Sequence, residues 1–153
     1  MKSILVIIFI LSATFLNANP PGEEENIVSV VQHFFTVMET RDTDEAKKIL
    51  IPGGCTFSIR SEGKTETLKT SNFQEFINSL STLKDNYKEA MSNPKILVHE
   101  GIAVLWTKYD FYINGKFSHC GVDAFSLIKT ADGWKIAGLV YTVEKTGCTP
   151  QQR

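Results

Sequence analysis

Asp123 is the side chain in this chain best placed to do chemistry. It lies in the segment Gly121-Val122-Asp123-Ala124-Phe125, within a long apolar run. Partial desolvation there would favour the neutral acid and raise its pKa unless a cation answers it. An acid of that kind can anchor a ligand or donate a hydrogen bond to a developing oxyanion. Its non-chemical alternative is a buried acid bonded to Tyr141 or to the Trp106 indole. His119, four residues before it, could form an oriented base with Asp110, or the two could be a plain cross-strand pair at the surface. Four residues of extended strand span roughly 13 Å, so His119 and Asp123 cannot act on the same atom unless a bulge folds the strand. Ser58 and Ser118 lie in no nucleophile-elbow motif. The histidines are scattered and no CxxC or CxxH pair occurs, so neither metal nor cofactor is expected. Arg60 is the cation nearest the expected pocket mouth, where it would clamp an acidic ligand or stand exposed on its strand.

The elements that must hold these groups follow from periodicity. Val30, Val31, Phe34, Phe35 and Met38 recur at helical spacing from Ile27 onward. Asp44 is placed to cap a second helix running to Leu50 and stopping at Pro52, Gly53 and Gly54. Thr56–Arg60 and Thr65–Lys69 read as two short strands around a turn at Glu62 and Gly63. Ser71 with Gln74 forms a capping box opening a third helix that buries Phe73, Phe76, Ile77 and Leu80. Lys84 to Asn93 reads as a polar link. Strands then follow at Ile96–His99, Ile102–Ile113, Lys116–Lys129 and Trp134–Val143, joined by turns at Asn114-Gly115 and Ala131-Asp132-Gly133. Helices, a hairpin, a helix and a long antiparallel meander make an α+β fold with helices on one face of a sheet.

The turns also predict register. Ile113 opposite Lys116 places Asp110 opposite His119 and Trp106 opposite Asp123, and Thr130 opposite Trp134 places Asp123 opposite Tyr141. One face would then carry Val104, Trp106, Asp110, His119, Asp123, Phe125, Leu127, Leu139 and Tyr141. The other would carry Leu105, Thr107, Tyr109, Phe111, Ser118, Cys120, Val122, Ala124, Ser126 and Ile128. That second face is also apolar, which predicts a cover, most simply a second copy packed sheet to sheet.

The 153 residues carry a formal net charge of −1 with no basic stripe, which argues against a nucleic-acid partner. Residues 1–18 have the parts of a secretory signal: Lys2, an apolar run from Ile4 to Leu11 too short to span a bilayer, and small residues up to Ala18. The chain is therefore expected to be secreted or periplasmic, with cleavage near Ala18 and no membrane attachment afterwards. Residues 19–26 read as a flexible N-terminus, 27–148 as one domain and 149–153 as a tail. The three cysteines allow one internal bridge in an exported protein. All three pairings are open, and Cys120 with Cys148 is favoured because it would tie down the tail.

The layout, the segment His119-Cys120-Gly121-Val122-Asp123-Ala124-Phe125, the Gly101–Trp106 pattern and Arg41-Asp42-Thr43-Asp44 resemble the nuclear transport factor 2-like superfamily. The look-alikes are its secreted SnoaL-like and lumazine-binding-like members. The resemblance covers nearly all of the chain after residue 18 and implies a cystatin-like cone, with N-terminal helices on a strongly curved, mixed or antiparallel sheet. That scaffold hosts enzymes and binding modules alike. Set beside ketosteroid isomerase of the same superfamily, the strand around Asp123 is similar to the one bearing the oxyanion-hole aspartate. Phe34 stands where its helix-borne tyrosine would be, and Thr56–Arg60 offers no carboxylate for its general base. The expected function is an exported domain enclosing a small apolar or aromatic ligand, with Trp106, Phe125, Tyr141, Phe34 and Arg60 around Asp123. A dehydratase, isomerase or cyclase using Asp123 and His119 is the alternative, disfavoured because the acid lacks a matched second group. A non-catalytic dimerisation module is the third reading.

Overall fold

The apolar stripe of the first helix buries Ile27, Val31, Phe34, Phe35, Val37 and Met38 along α1 (Glu23–Thr40). The computed structural model describes residues 22–62 and 65–149. The expected signal segment 1–18, Gly63 of the first turn and the tail after Thr149 lie outside the described residues. Part of the stretch expected to be flexible is helical, because α1 begins at Glu23. Three glutamates in its first turn suit the positive end of the helix dipole. Glu23 also accepts hydrogen bonds from the Trp134 indole (2.7 Å) and Lys129 (2.5 Å), which fastens the helix start to the sheet.

The next two helices form with caps shifted from the expected residues. α2 (Thr43–Ile49) is capped by Asp42 rather than Asp44: the Asp42 carboxylate accepts the Asp44 and Glu45 N–H groups, both at 3.0 Å. The chain passes straight into β1 (Leu50–Glu62), which absorbs Pro52, Gly53 and Gly54 through an irregularity between Leu50 and Cys55. β2 (Thr65–Asn72) leads to α3 (Phe73–Leu80). Asn72 caps α3 with Glu75 in return; Ser71 is still paired with Thr56 in the β1–β2 ladder. Phe73, Ile77 and Leu80 are buried, and Phe76 packs at the edge of the core.

The largest departure from expectation is β3 (Tyr87–His99), which begins inside the stretch read as a polar link. It is an edge strand, where Pro94 costs no shared ladder bond, and its register breaks between Ser92 and Lys95. Arg41 helps to start it: held in the left-handed conformation (φ 61°) after α1, it donates to the Asp85 carbonyl and the Asn86 side chain at 2.9 Å each. β4 (Ile102–Ile113), β5 (Lys116–Thr130) and β6 (Gly133–Glu144) complete a six-stranded sheet ordered β2-β1-β6-β5-β4-β3. Every pairing is antiparallel except β1 with β6, so the architecture is α+β on a mixed sheet. Phe34 and Phe35 of α1 meet Phe125 of β5 edge to face, with centroids 5.7 and 6.0 Å apart.

Two irregularities decide what faces the helices. The Asn114-Gly115 turn forms as expected, with positive φ at both residues and Ile113 opposite Lys116. The register then shifts between Phe111 and Tyr112, so that Phe111 lies opposite His119, Asp110 opposite Cys120 and Thr107 opposite Asp123. A one-residue slip turns a strand over. Leu105, Thr107, Tyr109 and Phe111 therefore share the inner face with Asp123, whereas Val104, Trp106 and Asp110 share the outer face. At the other turn Thr130 pairs with Gly133, one residue from the expected register, and a second irregularity between Ser126 and Leu127 restores the frame. Asp123 lies opposite Tyr141, and Phe125 opposite Leu139, as expected.

Candidate functional site

Between the inner sheet face and helices α1 and α3 lies a cavity of about 650 Å³. Its helix side presents Phe34 and Phe76, whose rings stack at 5.2 Å, and its sheet side presents Leu139 and Tyr141 of β6. Asp123 reaches it from β5 and Glu89 from β3. Ser58 is buried in the β1 wall, and Arg60, Lys69 and Lys145 line one side.

Asp123 is 2% exposed. The Glu89 carboxyl hydrogen-bonds to it, while Asp123 Oδ2 is buried with no partner among the described residues. Burial pushes Asp123 up to about 7, and the bond from Glu89 holds it back. Glu89 is pushed well above the carboxylate range, first by burial, then by the Asp123 charge and their mutual hydrogen bond. Two carboxyls this close cannot both ionise at low cost, so the pair shares a proton, with Glu89 as the donor and Asp123 as the acceptor.

The floor beside the pair is shaped by Tyr109, whose hydroxyl donates to the Thr142 carbonyl at 2.6 Å. Burial, reinforced by the charges of Glu89 and Asp123, pushes this phenol far above its usual range, so it stays protonated. Its ring lies over Gly121: a Cβ built there would come within 2.7 Å of the ring and 2.2 Å of the Thr142 carbonyl oxygen. The glycine between His119 and Asp123 thus lets Tyr109 lie flat across β5. His119 stacks on Phe111 (centroids 4.7 Å, 22° between planes), and its Nδ1 is 3.0 Å from Ser118 Oγ. Burial first, then the Arg60 and Lys145 charges, lower its pKa and keep the imidazole neutral.

Of the residues expected around the site, Asp123, His119, Tyr141, Phe34 and Arg60 line the cavity. Trp106 does not: the β4–β5 irregularity turns it to the outer face, where it is 36% exposed and Lys95 lies over its ring. Phe125 is fully buried in the core beneath α1 rather than bordering the cavity. Asp110 is not opposite His119 as expected: it lies opposite Cys120, and Phe111 opposite His119. Cys120 is bonded to Cys148, and Cys55 is a free thiol. Two cavity residues lie away from where the sequence suggests: Glu89 falls in the stretch that reads as a polar link, and Tyr109 on the face expected to point outward. Tyr87, Glu89 and Met91 do alternate at the period of a strand, the signal that could have placed Glu89 on an apolar face.

Among the described residues no cluster of three or more His, Cys, Asp or Glu side chains is arranged to hold a metal ion. What the site offers instead is a proton held between two carboxyls, an acceptor oxygen awaiting a donor, and aromatic walls.

Residues 22–142 match the model of a family described as "Putative lumazine-binding". No curated protein matches the chain. Among solved structures, a nuclear transport factor 2-like protein from Cytophaga hutchinsonii superposes with a TM-score of 0.66 at 13% identity, covering 80% of this chain and 99% of that one. A nuclear transport factor 2-like superfamily protein from Salmonella enterica gives 0.62 at 13% identity, covering 86% and 97%. A protein from Streptomyces avermitilis described as a "putative dehydratase" of the same fold gives 0.60 at 14% identity, covering 78% and 94%. At such identities the likeness is one of fold.

Proposed function

Because the chain belongs to the lumazine-binding-like family of nuclear transport factor 2-like folds, we propose that it is an exported domain that binds a small organic molecule in the cavity between its sheet and helices. The observation that carries this reading is the orphan Asp123 Oδ2. A buried acceptor without a partner costs about 1–3 kcal/mol, and an acid pair kept only to hold strands together would have no need to leave one. A ligand donor would satisfy it. The cavity is of a size to enclose a drug-sized molecule, and export follows from the signal-like residues 1–18.

Native mass spectrometry of the protein recovered from the compartment it is exported to tests this. A co-purifying small molecule is expected, with its occupancy reduced about tenfold or more in Asp123→Asn. Protein free of any adduct would count against the binding reading, and an adduct held equally by parent and variant would remove Asp123 from the site.

One observation favours a second reading. The acid that lacked a catalytic companion in the sequence has one in Glu89, so proton transfer of the dehydratase, isomerase or cyclase kind would run through Glu89 and Asp123 rather than through His119. In that case Glu89→Gln would abolish turnover of the bound molecule while changing its affinity little.

The partner we propose for the outer sheet face is a second copy of the chain. Leu97 (77% exposed), Ile102, Val104, Trp106, Val140 and Phe57 all lie there, across the width of the sheet. Six strands of about ten residues give a face of roughly 900 Å², close to the 800 Å² per partner of a standard interface.

A further inference from the structure

We infer that the molecule this cavity takes is a flat hydroxy- or amino-substituted ring acid, bound with its O–H or N–H on Asp123 Oδ2 and its acidic group against Arg60 and Lys69. The inference rests on the ligand-binding reading and adds the chemical class.

The charges lining the cavity are unevenly placed. The acids among the described residues are Glu75, Glu89 and Asp123; the cations are Arg60, Lys69 and Lys145. Glu75 is spent on the start of α3, where it accepts from the Ser71 hydroxyl (2.8 Å) and the Asn72 N–H (3.1 Å). Glu89 and Asp123 share a proton, so the deep end carries about one negative charge. Arg60 and Lys69, on β1 and β2, make no ion pair among the described residues, yet both border the cavity. The arginine charge is felt at Tyr109 and His119 on the floor, so it overlooks the cavity.

The spacing limits the molecule. Asp123 pairs with Tyr141, and Tyr141 with Ser58, which puts Arg60 two strands across and two residues along from Asp123. That is about 12 Å between backbones. With both side chains reaching inward, one or two fused rings bridge the gap. The stacked pair Phe34–Phe76 on one side and Leu139 with Tyr141 on the other form apolar walls that suit a flat ring. An amine of the same shape could satisfy Asp123 but would set its charge among the cations of the rim, and a plain ring acid would leave Oδ2 unpaired.

The test titrates the full exported protein with three probes: 6-hydroxy-2-naphthoate, 2-naphthoate and 2-naphthol. The hydroxy acid is expected to bind about tenfold more tightly than either of the others, since a charge-assisted hydrogen bond of roughly 1.5 kcal/mol corresponds to such a factor. The double variant Arg60→Gln, Lys69→Gln should lose that advantage over 2-naphthol while binding 2-naphthol within about twofold of the parent. These are surface side chains, so the variant will fold. Asp123→Ala, with its melting curve as a check on folding, should bind the hydroxy acid no better than 2-naphthoate. If 2-naphthol binds as tightly as the hydroxy acid, or the double variant changes nothing, the ligand class is wrong while a binding cavity stands. If no probe binds, the class is equally overturned, and the mass-spectrometric search for a co-purifying molecule decides the ligand-binding reading separately.

Discussion

Burial at Asp123 and Glu89 has a sign that can be measured. In the unfolded chain both carboxyls ionise near pH 4, whereas in the folded protein both retain protons to higher pH, Asp123 up to about 7. Between those values the native state binds more protons than the unfolded state, so stability contributed by the pair is greatest at low pH and falls as pH rises from about 4 through about 7. Each unit of upward shift corresponds to about 1.4 kcal/mol. Glu89→Gln, which keeps the shape and removes the ionisation, is expected to flatten that decline, melting closer to the parent at pH 4.5 and above it at pH 8. Melting curves across this range check it; parallel profiles for parent and variant would mean that the pair does not share a proton. Asp123 was legible because an acid in an apolar strand is conspicuous. Glu89 was not, because its neighbours Lys88, Asn93 and the preceding Asp85 and Asn86 give the segment the composition of a loop. Only the edge position of β3, which tolerates polar residues on its outer face, reconciles that composition with a strand.

At the scale of elements, the strands other than the first half of β3 could be read from their β-branched and aromatic content, and both long hairpins from their turns. Facing could not. The pattern on β4 is apolar on both sides, so nothing in its alternation tells inner from outer, and a single extra residue at Ser118 reversed the assignment of Trp106 and Tyr109. Helix caps were misplaced by one or two residues for a related reason: neighbouring Asp, Asn and Ser side chains are all competent caps, and the ladder or the preceding turn selects among them. The close packing of β5 against Tyr109 makes a firm prediction. Gly121→Ala would drive a methyl into the Thr142 backbone oxygen and the Tyr109 ring, and should cost about 2 kcal/mol or more in urea denaturation. Gly101→Ala, with nothing within 4 Å of its added carbon, serves as the control and should stay within about 0.5 kcal/mol of the parent. Equal midpoints for the two would show that the sheet yields at Gly121.

For the whole molecule, the α+β order and the helices on one sheet face were evident in the sequence, while the apolar outer face was anticipated with its β5 residues in place, Val122, Ala124 and Ile128 among them, and its β4 residues reversed: Leu105, Tyr109 and Phe111 were assigned to it, and Val104 and Trp106 occupy it. The mixed character of the sheet was harder to see, since the parallel pairing of β1 with β6 joins segments about eighty residues apart and leaves no local mark. If two copies meet through this face, light scattering at micromolar concentration will give the mass of a dimer, and Trp106→Lys with Val140→Lys will give that of a monomer whose cavity still binds. A monomeric parent would reject the pairing. The compensating irregularity between Ser126 and Leu127 has a bearing on how such a protein can be altered. It separates the turn at Ala131 and Asp132 from the stretch of β5 that carries Asp123, so lengthening that turn need disturb the ladder only as far as Leu127. The tip of this hairpin is in effect a splice point, where a reporter or an affinity sequence can be grafted without retuning the chemistry below it.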